Sequence, residues 1–275
     1  MKDGITIEGR AGAFGAYIVR PKTLPAPAVV VLQELFGVNA DMRKTCDELA
    51  EQGFIAVAPD LFWRQEPGVD LSVTSDADWQ HGLRLYQAYD RDAGARDVKD
   101  TVDVVAKLPD CSGKVAVLGY CLGGLMTFLT AVRYGADAAA AYHGGDTEKY
   151  LGELDGLHAP LLMHLAEEDE FISKPAQAEI KAALASKPNA TVCSYPGQRH
   201  AFARHNGTHY NAAAATLANG RTSEFLHRQL GAPSAKTALL PSRKVQPRKA
   251  GNVLGQTCRP DGPRIRKVHE RRQRW

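Results

Sequence analysis

Short apolar runs alternate along the chain with segments whose apolar positions recur every three to four residues. ITIEG (5–9) and AFGAYIVRP (13–21) read as a first hairpin, with alternation broken by glycine. PAPAVVVLQE (25–34) enters through prolines into a continuous apolar run, the mark of a strand buried on both faces of a parallel sheet. Residues 41–52 carry Met42, Cys46, Leu49 and Ala50 at helical spacing and stop at Gly53. FIAVAPDLF (54–62) is a second buried strand. Residues 76–108 are helix-rich, with Leu83 and Tyr86 and then Val98, Val102 and Val105 on helical periods. KVAVLGY (114–120) is a strand that runs into the helix GGLMTFLTAVRYG (123–135). AAAAYHGG (138–145), PLLMHLAEED (160–169) and ATVCSYPG (190–197) read as later strands, and residues 175–186 and 208–230 as helices.

Strand alternating with helix predicts an α/β fold, with a mostly parallel central sheet and helices on both faces. Chemistry is then expected in the loops at the C-terminal ends of the strands. After Gly231 the periodicity stops. Residues 233–275 hold five prolines, and four Lys and eight Arg against Asp261 and Glu270. The net charge of +3 thus hides a basic end on an acidic body. The division expected is a catalytic domain over 1–232 and a disordered basic tail over 233–275. Such a tail reads as a nucleic-acid or acidic-partner segment, or as a solvated extension, including an out-of-frame read-through. The second reading is preferred, because no aromatic residue before Trp275 could stack on bases.

Composition narrows the class further. A chain of 275 residues with 44% hydrophobic content can bury a sizeable core. It has no apolar run of about 18 residues, so no membrane span is expected, and MKDGITIEG lacks the apolar centre of a secretory signal. Five cysteines, none spaced as C-x-x-C, fit a reducing cytoplasm better than a disulfide or zinc framework. No metal-ligand spacing and no G-x-G-x-x-G opening a helix is present, so no cofactor is expected. The partner expected is a small molecule rather than a membrane or nucleic acid, and the state a monomer.

GYCLGG (119–124) is where chemistry concentrates. It has the form of the G-x-S-x-G elbow, in which a strand turns sharply into a helix and presents a nucleophile at the tip. Cys121 takes the place of serine between Gly119 and Gly123. A helix N-terminus favours thiolate over thiol, and a thiol beside a base is a stronger nucleophile than a hydroxyl at neutral pH. A lone cysteine is more often a buried structural thiol; the strand–glycine–helix setting argues against that here. In such folds an acid and then a histidine follow the nucleophile. Asp169, where a strand gives way to a loop, and His200, after a Pro-Gly turn, complete that order. Glu167, Glu168 and Glu170 compete for the acid. His143, His158, His164, His205 and His209 compete for the base, with His164 inside a strand and His205 and His209 placed at the start of the last helix. The backbone N–H groups of Leu122 and Leu35 are the candidate oxyanion donors.

With these residues in place, QELFGVNADMR (33–43), APDLFWRQEPG (58–68), LYQAYD (85–90), GKVAVLGYCLGG (113–124), EEDEF (167–171), HAFAR (200–204) and ATLANGRTSEFL (215–226) together resemble the dienelactone hydrolase (carboxymethylenebutenolidase) family of α/β-hydrolases, over residues 3–230. The resemblance implies a Cys121–His200–Asp169 triad that opens enol lactones or activated esters through an acyl-enzyme. It implies that Glu34 holds the resting cysteine and helps to raise the thiolate when substrate arrives. It also implies two arginines for a substrate carboxylate. One matches Arg204, but the other falls on Trp79, a family tyrosine falls on Leu83, and a serine falls on Ala201. Arg84 is the nearest replacement cation. A guanidinium clamp is not replaced by an indole, so weaker carboxylate selectivity is expected, in a pocket walled by Trp79, Phe36 and Phe202. The competing reading is a catalytically silent hydrolase-fold protein that binds through its tail.

Overall fold

The computed structural model describes residues 2–231; the segment read as a disordered tail, 233–275, lies outside the described residues. One eight-stranded sheet organises the chain, in the order β1 (Lys2–Gly9), β2 (Gly12–Val19), β4 (Ile55–Pro59), β3 (Ala26–Leu32), β5 (Cys111–Tyr120), β6 (Ala138–Tyr142), β7 (Leu161–Ala166) and β8 (Ala190–Tyr195). The β1–β2 and β2–β4 pairs are antiparallel, and every pair from β4 to β8 is parallel.

The unbroken apolar runs are explained by burial on both faces. In β3, Ala28, Val30 and Leu32 enter one hydrophobic core while Val29 and Val31 enter the other, as the two-residue period of a strand requires. The first core is closed by α3 (Arg91–Ala106), α4 (Leu122–Arg133) and α5 (Lys174–Ala185). The second is closed by α1 (Ala40–Glu51) and α6 (Ala212–Leu230). Two layers of helix thus hold the strands rigidly, and the strand ends can carry side chains in fixed positions.

Capping side chains set several boundaries. The region read as helix-rich divides into α2 (Asp76–Ala88) and α3, because Tyr89 is extended and the Asp90 carboxylate accepts the N–H groups of Asp92 and Ala93. The last helix starts later than its composition indicated. Asn211 is extended and caps Ala214, so His205 and His209 stand in the preceding loop rather than in the helix. A 3₁₀ segment over Thr147–Gly156, with no period legible in the sequence, links β6 to β7.

Candidate active site

The elbow between β5 and α4 is strained by design of the chain. Cys121 has φ 54° and ψ −114°, a conformation that costs a non-glycine residue about 1–3 kcal/mol. Its N–H donates to the Tyr142 carbonyl (3.1 Å), and Gly123 N–H donates to Gln33 O (2.9 Å). The flanking glycines are there for space. A Cβ on Gly119 would lie 2.1 Å from the Gly123 carbonyl oxygen, and one on Gly123 would lie 2.3 Å from that of Leu32. Leu122 is the first residue of α4, so its N–H has no acceptor within the helix. Leu35 lies across the cavity, on the loop after β3.

The loops after β7 and β8 bring Asp169 and His200 together. His200 Nδ1 lies 2.9 and 3.0 Å from the two Asp169 carboxylate oxygens. The same carboxylate accepts the backbone N–H of Phe171 (2.8 Å) and Ile172 (3.2 Å), so its orientation is fixed from two sides. The neighbouring acids are engaged elsewhere: Glu168 with Lys174, and Glu170 with Arg199 and His209. His200 Nε2 is buried. Burial alone would favour the neutral ring, but the charges of Cys121 and Asp169 outweigh it and push the His200 pKa up to about 10.

Of the competing histidines, His158 is exposed. His164 is a core residue bonded through its ring to Tyr195 (2.7 Å) and Thr222 (2.9 Å). His205 meets Glu48 at 3.2 Å. His209 donates its Nδ1–H to the His200 carbonyl (3.0 Å).

A cavity of about 310 Å³ opens over Cys121 and His200, walled in part by Leu35, Phe36, Trp79, Leu83, Phe171 and Arg204. Two expectations need correction. Phe202 does not line it; the side chain is fully buried in the second core, packed on Tyr195. HAFAR is a loop with no period, so the direction of each side chain could not be read from it. Arg84 is exposed and absent from the wall, because it follows Leu83 by one helical position and turns away. Glu34 lines the same cavity as Cys121. Its carboxylate pairs with Arg204 Nη1 at 3.2 Å, both side chains being mostly buried. A guanidinium in a closed cavity requires a counter-charge, and Glu34 is the carboxylate within reach.

Two residues were missed, Tyr86 and Phe171, and His143 was weighed only as a competitor for the base. Tyr86 lies one turn beyond Trp79 and Leu83 on the same face of α2, and extending that stripe by three positions would have found it. Burial first, then the nearby charges of Cys121 and Asp146, push its hydroxyl up to about 12. Phe171 lies at the cavity mouth. His143, at the end of β6, has φ 37° and packs its ring 4.3 Å from that of His200. Both its ring nitrogens are buried and unpartnered. Burial, followed by the charges of His200 and Arg204, holds it well below the usual histidine range, so it stays neutral. Among the described residues no group of three His, Cys, Asp or Glu is arranged to hold a metal ion.

A family model described as the dienelactone hydrolase family matches residues 14–230. A carboxymethylenebutenolidase of Pseudomonas putida is 38% identical over 227 residues, covering 82% of this chain and 96% of the relative. One from Cupriavidus pinatubonensis is 35% identical over 227 residues, covering 82% and 97%. A crystal structure of a dienelactone hydrolase from Anabaena variabilis superposes with a TM-score of 0.62 at 17% identity, covering 84% of this chain and 98% of that one; at that identity the likeness speaks for the fold.

Proposed function

The chain belongs to the dienelactone hydrolase family and is a hydrolase of the carboxylic-ester class; on that premise we propose that it opens enol lactones and activated esters with Cys121 as nucleophile, His200 as acid and base, and Asp169 as the group that orients His200. The Cys121 sulfur attacks the carbonyl carbon. Charge develops on the carbonyl oxygen, for which the N–H groups of Leu122 and Leu35 are the donors. The carbon–oxygen bond breaks, and the His200 Nε2 proton goes to the departing oxygen. Water then gives a proton back to His200 and attacks the thioester, releasing the acid and the thiol. Thiolates suit activated acyl groups of this kind better than amides.

The observation that carries this reading is the His200 ring. It is tied to Asp169 through Nδ1, and Cys121 acts on the same ring both by its charge and through a side-chain hydrogen bond. The second part of the reading concerns substrate charge. With Trp79 where a second arginine is expected and Arg204 neutralised by Glu34, the cavity favours uncharged substrates. Glu34 thus acts as the counter-ion that holds Arg204. The four cysteines among the described residues are free thiols, which supports a reducing, cytoplasmic setting. No helix among the described residues is long and apolar enough to cross a membrane, and the enzyme is proposed to work as a monomer.

The test is turnover of dienelactone and of phenyl acetate by the native protein beside Cys121→Ser. Turnover that falls by at least a hundredfold in the variant is the expected result. No turnover of either compound by the native protein, or equal turnover by the variant, contradicts the proposal.

A further inference from the structure

Four rings and a guanidinium follow one another around the cavity without a break. The Arg204 guanidinium carbon lies 5.3 Å from the Phe36 ring centre. Phe36 lies 5.9 Å from Trp79, Trp79 lies 6.1 Å from Phe171, and Phe171 meets the His200 ring edge-on at 4.8 Å. The belt begins at the Glu34–Arg204 pair and ends on the candidate base. Phe171 is 55% exposed, yet its position is fixed. Its N–H is held by Asp169, and the next residue, Ile172, is buried and held by the same carboxylate. Single exposed apolar side chains are ordinary. An exposed ring on a pinned backbone, at the mouth of a cavity and in line with three others, is a binding face left open.

We propose that Phe171 and Trp79 form the specificity-determining face for the leaving group, and that it takes the flat ring of an uncharged aryl ester. The inference rests on the Cys121–His200–Asp169 reading above. His200 must give its proton to the departing oxygen, so whatever that oxygen carries emerges beside His200, where Phe171 stands. A flat ring there meets Phe171 and Trp79 at the offset or edge-on geometries that aromatic pairs favour. Glu170 also lines the mouth, which disfavours an anionic leaving group. In the step proposed, sulfur bonds to the acyl carbon, the bond from that carbon to the aryl oxygen breaks, and the oxygen takes the His200 proton and departs as a phenol.

Two readouts test this. The first is the ratio of kcat/KM for phenyl acetate over cyclohexyl acetate, in the native protein and in Phe171→Leu, which keeps apolar bulk and removes the ring. The ratio should fall about two- to tenfold in the variant. The second needs no turnover: phenol should slow iodoacetamide labelling of Cys121 in the native protein more than in Phe171→Leu, while cyclohexanol should affect both alike. An unchanged ratio, or phenol protection that is equal in both proteins, overturns the proposal. Absence of ester turnover with the protection difference intact supports the aromatic face and refutes the hydrolytic reading instead.

Discussion

Arg204 and Glu34 face each other across the floor of a cavity in which a cation would otherwise stand alone. Their pairing at 3.2 Å gives the site a neutral floor, and Trp79 gives it an aromatic wall where a second cation would favour anionic substrates. Trp79→Arg should therefore restore an unpaired charge within the cavity. Desolvated charge contacts are commonly worth about 2–5 kcal/mol, so kcat/KM for a carboxylate-bearing enol lactone should rise about tenfold or more relative to a neutral ester. Steady-state kinetics on the pair of substrates measures this, and an unchanged ratio would remove Trp79 from the account of specificity. Residue identity made Cys121, Asp169 and His200 legible in the sequence, because each falls at or just after a strand end, while Trp79 came only from the family resemblance. Phe171 was not legible as a site residue, and His143 was legible only as a competitor for the base. Their significance lies in which rings they touch, and those rings come from elements far apart in the chain.

The strand–turn–helix unit around Cys121 depends on two backbone approaches that no side chain can share. Gly123→Ala would drive a methyl group into the Leu32 carbonyl at 2.3 Å, in a buried turn with backbone on both sides. Overpacking of this kind costs about 1–3 kcal/mol where neighbours can yield, and carbonyl groups in a central strand yield less than side chains. Denaturant unfolding of Gly123→Ala should show a loss of at least about 3 kcal/mol, with Gly220→Ala on the exposed side of α6 as comparison for a glycine with open space around it. A loss below about 1 kcal/mol would mean that the turn relaxes freely. The period of apolar residues identified every strand of the sheet and five helical segments, one of which the structure divides into α2 and α3. The ends were less legible where a side-chain cap decided them, as Asp90 and Asn211 do. Loops such as HAFAR have no period at all, and that is why Phe202 was placed in the wrong environment.

Across the folded body, two buried histidines refuse protons that the unfolded chain accepts. His143 is held well below the usual range by burial and by the charges of His200 and Arg204. His164 is pushed down to about 3 by burial and the charge of Arg221. Both folded pKa values are depressed below the unfolded value near 6.5. Their contribution to stability is therefore fully present above the unfolded value and is lost as pH falls below it. His143→Phe keeps the ring and removes two unpartnered nitrogens. Its melting temperature should match or exceed that of the native protein at pH 7 and fall less steeply between pH 7 and pH 5; an equally steep fall would show that His143 takes up its proton while folded. The site itself stands on the claim that the Cys121 sulfur carries the acyl group between the two halves of the reaction. Mixing the native protein with excess phenyl acetate, quenching in acid within the first turnovers and mapping the peptides by mass tests this claim most directly. The account predicts an acetyl group on the peptide containing Cys121, absent from Cys121→Ser and chased away as substrate is exhausted. Turnover with no acetylated Cys121 at any quench time, or with the acetyl group on another residue, would contradict it.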